Sequence, residues 1–164
     1  MALVSEDRKE LGLILNQSIN NNAVIGSKFV HLIRKVNHEV ETVKEYIDKL
    51  QVVCRDGFQQ VDSLSGGNQQ KVVLSKWLMR KPDILILDEP TKGIDVGAKA
   101  EVHAIISDLA TKGTSVLLIS SEEEEIMGMC DRAVVLYEGK TMGVLDRSEF
   151  DENKILNLAH GFVD

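Results

Sequence analysis

Two short runs in the middle of the chain combine residue types that could handle a phosphate group. The first is Ser65, Gly66 and Gly67, which stand where a loop is expected to turn into a helix. The first N–H groups of a helix lack intrahelical partners and lie at the positive end of its dipole. Because two glycines let an anion come close to that backbone, the run predicts an anion-binding helix start suited to a phosphate.

The second run is an acid pair, Asp88 and Glu89, directly after the apolar strand predicted at residues 84–87. In open α/β sheets, ligands bind at the carboxyl edge of the strands. One carboxylate there can hold Mg²⁺ and another can polarise an attacking water as a general base, roles that suit Asp88 and Glu89 respectively. Each run alone is more often a plain turn or a helix cap, but both in this order, with Asp95 following, favour nucleotide chemistry.

The whole stretch resembles a known family. Residues 64–70 resemble the signature motif of ATP-binding cassette (ABC) ATPases, residues 84–89 their Walker B strand, and residues 93–95 their D-loop. The variants at residues 67–71 and 91–97 are similar to those in the second nucleotide-binding half of the ATPases that drive bacterial monosaccharide importers.

This resemblance implies an ATP-hydrolysing, energy-coupling subunit of a sugar importer, with ATP and Mg²⁺ as cofactors. In the family, the signature of one nucleotide-binding half closes over the ATP that the phosphate loop of the other half holds. The signature residues that would bind ATP in trans are Ser65, Gly66, Gly67, Asn68 and Gln69. The resemblance makes Glu89 the catalytic residue, Asp88 the metal ligand and Asp95 the D-loop aspartate.

Two positions depart from the family pattern. Glu6 falls at about the Q-loop position, where most members place a glutamine that senses Mg²⁺ and water and links to the membrane subunit. Ser121 falls at the switch position, where members place a histidine against the γ-phosphate, and a serine cannot supply that imidazole contact. The resemblance therefore implies a degenerate ATP site in this half. On the residues alone, Ser121 and Glu124 also predict a capping box at a helix start.

The sequence contains no G-x-x-x-x-G-K-[ST] phosphate loop, whose lysine and hydroxyl hold nucleotide phosphates and Mg²⁺. In the family this loop precedes the Q-loop, so we expect the chain to be a C-terminal part of the second nucleotide-binding half and to be inactive alone. Two alternatives stay open. One is a non-catalytic docking module, and the other is a non-transport ABC ATPase, although the long heptads and Cys pairs usual in that class are missing.

Helices and strands predicted from apolar periodicity must position these residues. A three-four spacing predicts a helix at residues 37–53, and a looser one predicts a helix at residues 23–36. The same patterns predict strands at residues 1–4, 115–119, 133–137 and 140–145, and helices at residues 98–110 and from Ser148. Residues of about 18–80 should form the family's helical subdomain, and about 81–164 an α/β core. The side chains predicted to be exposed on the signature helix are Lys71, Lys76 and Arg80.

The predicted fold is α/β: a partial P-loop NTPase core of the ABC ATPase type, with a mostly parallel sheet lacking its early strands, plus a helical subdomain.

A net charge of −7 argues against nucleic acid as a partner, and no apolar run approaches the roughly 20 residues of a membrane helix. The resemblance implies two partners, another nucleotide-binding domain and a membrane permease subunit. It also implies a cytoplasmic location, peripheral on the inner face of the cell membrane. Cys54 and Cys130 fit no metal spacing and are predicted to be reduced thiols.

Overall fold

The computed structural model describes the backbone of residues 1–28 and 36–162, and the side chains of residues 1–25 and 40–162. The chain divides into two compact units, Met1–Ile119 and Ser120–Asp164. No helix within the described ranges combines the length and the apolar character that crossing a membrane requires. The later part of the helix predicted at residues 23–36 lies outside the described residues.

A three-stranded parallel sheet forms the base of the first unit. Its strands, in spatial order, are β1 (Ala2–Val4), β2 (Ile84–Asp88) and β3 (Ser115–Ile119). They are almost wholly apolar, as is typical of parallel strands, and Leu85 and Leu87 at the centre are fully buried. The opposite face carries Leu3, Ile86 and Leu117 in register, and Leu3 and Leu117 are about half exposed. The prediction of a mostly parallel sheet is confirmed.

Within the described residues, the α-helices of the first unit are α1 (Ile19–Lys28), α2 (Val36–Lys49), α3 (Gly66–Leu78) and α4 (Val96–Thr111). A short π-helical turn covers Arg8–Gly12. Helix α1 begins inside the Asn-rich segment of residues 16–22, where the buried Asn22 amide bonds to the backbone of Ile14 and Ser18. Helix α2 ends before the predicted residue 53, because Gln51 takes a left-handed conformation with φ of 52°.

The second unit contains the predicted hairpin, here antiparallel strands β4 (Arg132–Tyr137) and β5 (Lys140–Asp146), with helices α5 (Glu123–Met129) and α6 (Glu152–Ala159). Val135, Leu145 and Ile155 form its core. The prediction that Ser121 and Glu124 form a capping box is wrong: α5 has Glu122 at its N-cap, without a side-chain capping bond. The Ser120 hydroxyl accepts the Glu122 N–H at 3.0 Å instead.

The last helix also starts later than predicted. A 3₁₀ turn at Arg147–Glu149 comes first, with a capping box between Asp146 and Glu149, and α6 follows at Glu152 behind its cap Asp151. Two caps in succession therefore define the start of the last helix.

Cys54 and Cys130 are free thiols, as predicted, and burial raises the pKa of each.

Candidate functional site

The helix start predicted at Ser65 is where helix α3 begins. Ser65 is its N-cap, with extended backbone angles (φ −62°, ψ 158°), and Gly66 is the first helical residue. The exposed Ser65 hydroxyl accepts the Asn68 backbone N–H at 3.5 Å and the Asn68 side-chain amide at 3.0 Å. The sequence prediction of a loop-to-helix transition is confirmed, and anion binding at the α3 start stays a prediction.

The two glycines of this start are packed against other parts of the first unit. A Cβ atom on Gly67 would overlap the Cβ of Ala98, in the first turn of α4. A Cβ atom on Gly66 would lie 2.9 Å from Nη2 of Arg8 and 3.3 Å from the Gly93 carbonyl oxygen. Small residues here therefore permit α3 to pack closely against α4, Arg8 and the turn at Gly93.

Arg8 links this start to the predicted D-loop, and sequence reasoning missed it. Its Nη1 donates to the carbonyl of Lys92 at 2.9 Å, and its Nη2 donates to the carbonyl of Gly93 at 3.1 Å. Glu6, at the predicted Q-loop position, forms an ion pair with Lys92 at 2.5 Å. The hydrogen bond and the charge of Glu6 raise the pKa of Lys92. Segments far apart in sequence thus meet beside Gly66.

The two other predicted signature residues have their side-chain amides engaged within the protein. Asn68 is half-buried, and its Oδ1 accepts the backbone N–H of Val53 at 2.8 Å. Gln69 is 5% exposed, and its Nε2 donates to the carbonyls of Val61 and Leu64 at 3.2 and 3.3 Å. Their contacts support the loop ahead of α3, and a direct contact with ATP stays a prediction for both.

The prediction that Lys71 is exposed is wrong. Its side chain is 2% exposed, because its Nζ reaches Glu101 of α4 at 2.7 Å and the carbonyl of Gln51 at 2.9 Å. Lys76 is also partly buried: its Nζ donates to the Gly12 carbonyl at 3.1 Å, and burial lowers its pKa. Arg80, just beyond the end of the helix, is exposed as predicted.

The acid pair lies at the carboxyl end of β2, as predicted. Asp88 closes the strand opposite Ile119 of β3, and both carboxylate residues are partly buried. Glu89 adopts a left-handed backbone conformation, with φ of 47°, and its N–H donates to the Ile119 carbonyl at 2.9 Å. That conformation costs a non-glycine residue roughly 1–2 kcal/mol, so the turn after the strand is held under strain at Glu89.

Asp95 has a defined structural task. It is the N-cap of α4, and its carboxylate accepts the Ala98 N–H at 2.9 Å. Gly93, two residues earlier, has φ of 67°, which suits glycine. The predicted D-loop therefore follows the Lys92 and Gly93 carbonyls that bind Arg8. It leads directly into the first turn of α4, which packs on Gly67. Any contact that Asp95 makes with a partner domain stays a prediction.

The fit of the site to Mg²⁺ depends on the acid pair. Among the described residues, no group of three or more His, Cys, Asp or Glu side chains could hold a metal ion by itself. Asp88 and Glu89 supply two carboxylates, and Mg²⁺ usually keeps waters and substrate phosphates among its ligands. The pair thus suits an Mg²⁺ that arrives with ATP.

Ser121 is an exposed residue of the second unit, and its role at the switch position stays a prediction.

Comparison with known proteins decides the family. The family model described as ABC transporter matches residues 3–92, which include the α3 start and the acid pair. The chain belongs to the ABC transporter family. Since that match covers more than half of the chain, the resemblance drawn from the signature and Walker B stretches is confirmed.

Curated relatives are similar over nearly all of this chain. A putative ribose/galactose/methyl galactoside import ATP-binding protein of Hahella chejuensis is 50% identical over 97% of the chain and is covered over 32% of its own length. The L-arabinose transport ATP-binding protein of Geobacillus stearothermophilus is 48% identical over 96% of the chain, with 31% of its own length covered. The ABC transporter chain described here thus spans about a third of the length of the curated relatives it matches.

Solved structures with low sequence identity share the fold. The ATP-binding cassette MJ0796, in a dimeric post-hydrolysis state bound to ADP and Pi, has a TM-score of 0.77 at 18% identity. The match covers 90% of this ABC transporter chain and 63% of that one. A putative metal-chelate type ABC transporter in an inward-facing conformation has a TM-score of 0.78 at 16% identity. The prediction of a partial ABC ATPase fold is confirmed.

Proposed function

We propose that this chain is part of the ATP-binding, energy-coupling subunit of a bacterial sugar importer. In this proposal the α3 start, at Ser65, Gly66 and Gly67, acts in trans on ATP held by the phosphate loop of a partner nucleotide-binding domain. The observation that carries the proposal is the α3 start itself: an exposed capping hydroxyl and two glycines, held by Arg8 and Ala98 from outside the helix. The names of the relatives, one an import and one a transport ATP-binding protein, support the transport role.

The chemistry follows from the electrostatics of a helix start. The N–H groups of the first turn of α3 and the Ser65 hydroxyl would bind the γ-phosphate and neutralise the charge that develops on it during transfer to water. Asp88 would hold Mg²⁺ and Glu89 would polarise water in the ATP site of this half, where Ser121 stands in place of the family's histidine. We therefore propose that the α3 start contributes more to turnover than the acid pair.

The relatives are named for different monosaccharides, so the proposal extends to the class of sugar and not to one member. The partners in this proposal are the second nucleotide-binding domain and a membrane permease subunit, which would hold the protein at the inner face of the membrane. Coupling would pass from ATP closure at the α3 start to the permease.

The test is a chimera, called the graft below: the Hahella chejuensis relative with its matching third replaced by this chain. Its steady-state ATPase kcat and KM would be compared for Gly66→Asp and Glu89→Gln. Gly66→Asp adds a carboxylate where a phosphate should bind, so kcat should fall on the order of 100-fold. Glu89→Gln should cost less. Gly128→Asp is the control, since a side chain there meets open space.

The graft can refute this proposal in two ways. Unchanged turnover in Gly66→Asp would remove the role of the α3 start, and a larger loss in Glu89→Gln than in Gly66→Asp would move the main role to the acid pair. A complementary measurement uses the 164-residue chain alone, which should neither hydrolyse ATP nor bind it tightly. ATP turnover by the pure chain would contradict the action in trans.

A further inference from the structure

Three predicted motifs converge on the side chain of Arg8. Its guanidinium donates to the carbonyls of Lys92 and Gly93 at 2.9 and 3.1 Å, immediately before Asp95 of the D-loop. Nη2, the atom that donates to the Gly93 carbonyl, lies 2.9 Å from where a Cβ of Gly66 would be. Arg8 itself follows Glu6, the residue at the Q-loop position. The Arg8 side chain thus lies between the D-loop turn and Gly66, the first residue of α3.

The turn that carries Arg8 is fixed at both of its ends. Asp7 caps it, with Oδ1 accepting the N–H groups of Lys9 and Glu10 at 3.0 Å each. At the other end, Gly12 packs so closely on α3 that a Cβ there would lie 3.1 Å from Val73. The Gly12 carbonyl also accepts the Lys76 ammonium at 3.1 Å. The π-helical turn is therefore anchored along α3 by the cap at its start and the packing at its end.

The D-loop turn contains backbone hydrogen bonds at or beyond the long end of the normal range. The Lys92 N–H donates to the Glu89 carbonyl at 3.2 Å, and the Ile94 N–H donates to the Thr91 carbonyl at 3.4 Å. The ion pair of Lys92 with Glu6 is exposed and screened by solvent. The two charge-assisted bonds from Arg8, at 2.9 and 3.1 Å, are shorter than these backbone bonds, and they tie the turn at Gly93 to the side chain that lies beside Gly66.

We propose that Arg8 is a positioning residue, which holds the Lys92–Gly93 carbonyls against Gly66 so that the D-loop and the α3 start face one partner ATP site together. This rests on the proposed function of the α3 start. Arginine is needed because its planar fork donates to two carbonyls at once, whereas lysine is a single point charge. Arg8 would touch no nucleotide and would act only through the backbone that it aligns.

The graft tests this role with Arg8→Gln, Arg8→Lys and a matched control, Lys9→Gln. Lys9 is the adjacent exposed cation, so its loss changes the local charge without touching the D-loop carbonyls. We expect kcat to fall on the order of 10-fold in Arg8→Gln, since small displacements of reacting groups are costly. KM for ATP should stay within about twofold, because uniform binding of the nucleotide is untouched. Arg8→Lys should recover part of the loss, and Lys9→Gln should behave as wild type.

Hydrogen exchange gives a second readout that does not depend on turnover. In the 164-residue chain, Arg8→Gln should speed exchange of the Ile94 amide, whereas Lys9→Gln should not. If Arg8→Gln fails to fold, Arg8→Lys carries both measurements, and its intermediate kcat with unchanged KM supports the proposal.

Wild-type kcat in Arg8→Gln, or full activity in Arg8→Lys, would overturn the positioning role. The two proposals fail in different ways. A silent Gly66→Asp defeats the proposed function, whereas a damaging Gly66→Asp with a silent Arg8→Gln defeats only the role of Arg8.

Discussion

The α3 start and the acid pair are held in place by different kinds of interaction. The α3 start depends on side chains from distant segments: Arg8 lies over Gly66, and Ala98 packs on Gly67. The acid pair depends on main-chain register, with Asp88 opposite Ile119 and the Glu89 N–H bonded to the Ile119 carbonyl. Since main-chain bonds survive most side-chain substitutions, stability should be sensitive to substitution around α3 and insensitive at the acid pair.

The largest loss of stability is expected from Lys71→Ala. The substitution removes a fully buried stem and the ties from α3 to Glu101 and Gln51, which should cost about 2–4 kcal/mol. Urea unfolding followed by the fluorescence of Trp77, the one tryptophan of the sequence, measures it within α3. Lys44→Ala, at an exposed lysine of α2, is the matched control and should cost well under that amount. Equal losses in both would break the comparison.

Gly67→Ala should come next, because its Cβ would overlap that of Ala98 and force α3 and α4 apart. Overpacking of this kind costs about 1–3 kcal/mol. The double variant Gly67→Ala with Ala98→Gly returns the space and should recover part of the loss in the same unfolding experiment. A double variant less stable than the sum of the two single variants would show that the Gly67–Ala98 contact is not the cause.

Tyr46 sharpens the comparison through pH. Its hydroxyl donates to the Leu78 carbonyl at the end of α3, and burial, assisted by Glu45, raises its pKa. A group whose pKa is raised by folding makes its full contribution to stability below its unfolded-state pKa, which is about 10 for tyrosine. That contribution is lost as the pH rises through the folded-state pKa. Tyr46→Phe should thus cost about 1 kcal/mol at neutral pH and flatten the alkaline fall in stability. Parallel alkaline curves for the two proteins would contradict this assignment.

The smallest effect on stability is expected at the acid pair. Glu89→Gln keeps the shape of the side chain and every main-chain bond, so the free energy of unfolding should change by less than about 0.5 kcal/mol. The same Trp77 measurement checks it. A loss as large as that of Gly67→Ala would show that the Glu89 carboxylate is a structural group, and the contrast between the two regions would fail.

Helix starts and strands that depend on neighbouring residues in the sequence were predicted well. The α3 start could be found because a capping serine and two glycines act within one turn, and β3 because a short apolar run is bounded by turn residues. Ser121 shows the limit of local reasoning, since Ser120 and Glu122 offered a competing arrangement at the start of α5.

Features that depend on distant partners could not be predicted. Lys71 looks like a surface lysine until Glu101 and Gln51 are brought beside it by the packing of α3, α4 and the end of α2. Arg8 stands among alternating charges, and nothing in that pattern distinguishes a fork that binds two carbonyls from a solvated side chain. Asp95 offered a usable signal, since an Asp that precedes a helix by one residue is a common cap.

The partly exposed apolar row on the sheet, Leu3, Ile86 and Leu117, has a practical consequence for work with this polypeptide. Salts that are excluded from protein surfaces, such as sulfate, strengthen the association of apolar groups, while a net charge of −7 keeps molecules apart in dilute buffer. Light scattering should therefore rise early in an ammonium sulfate titration. Low ionic strength near neutral pH is the medium in which the purified chain should remain dispersed.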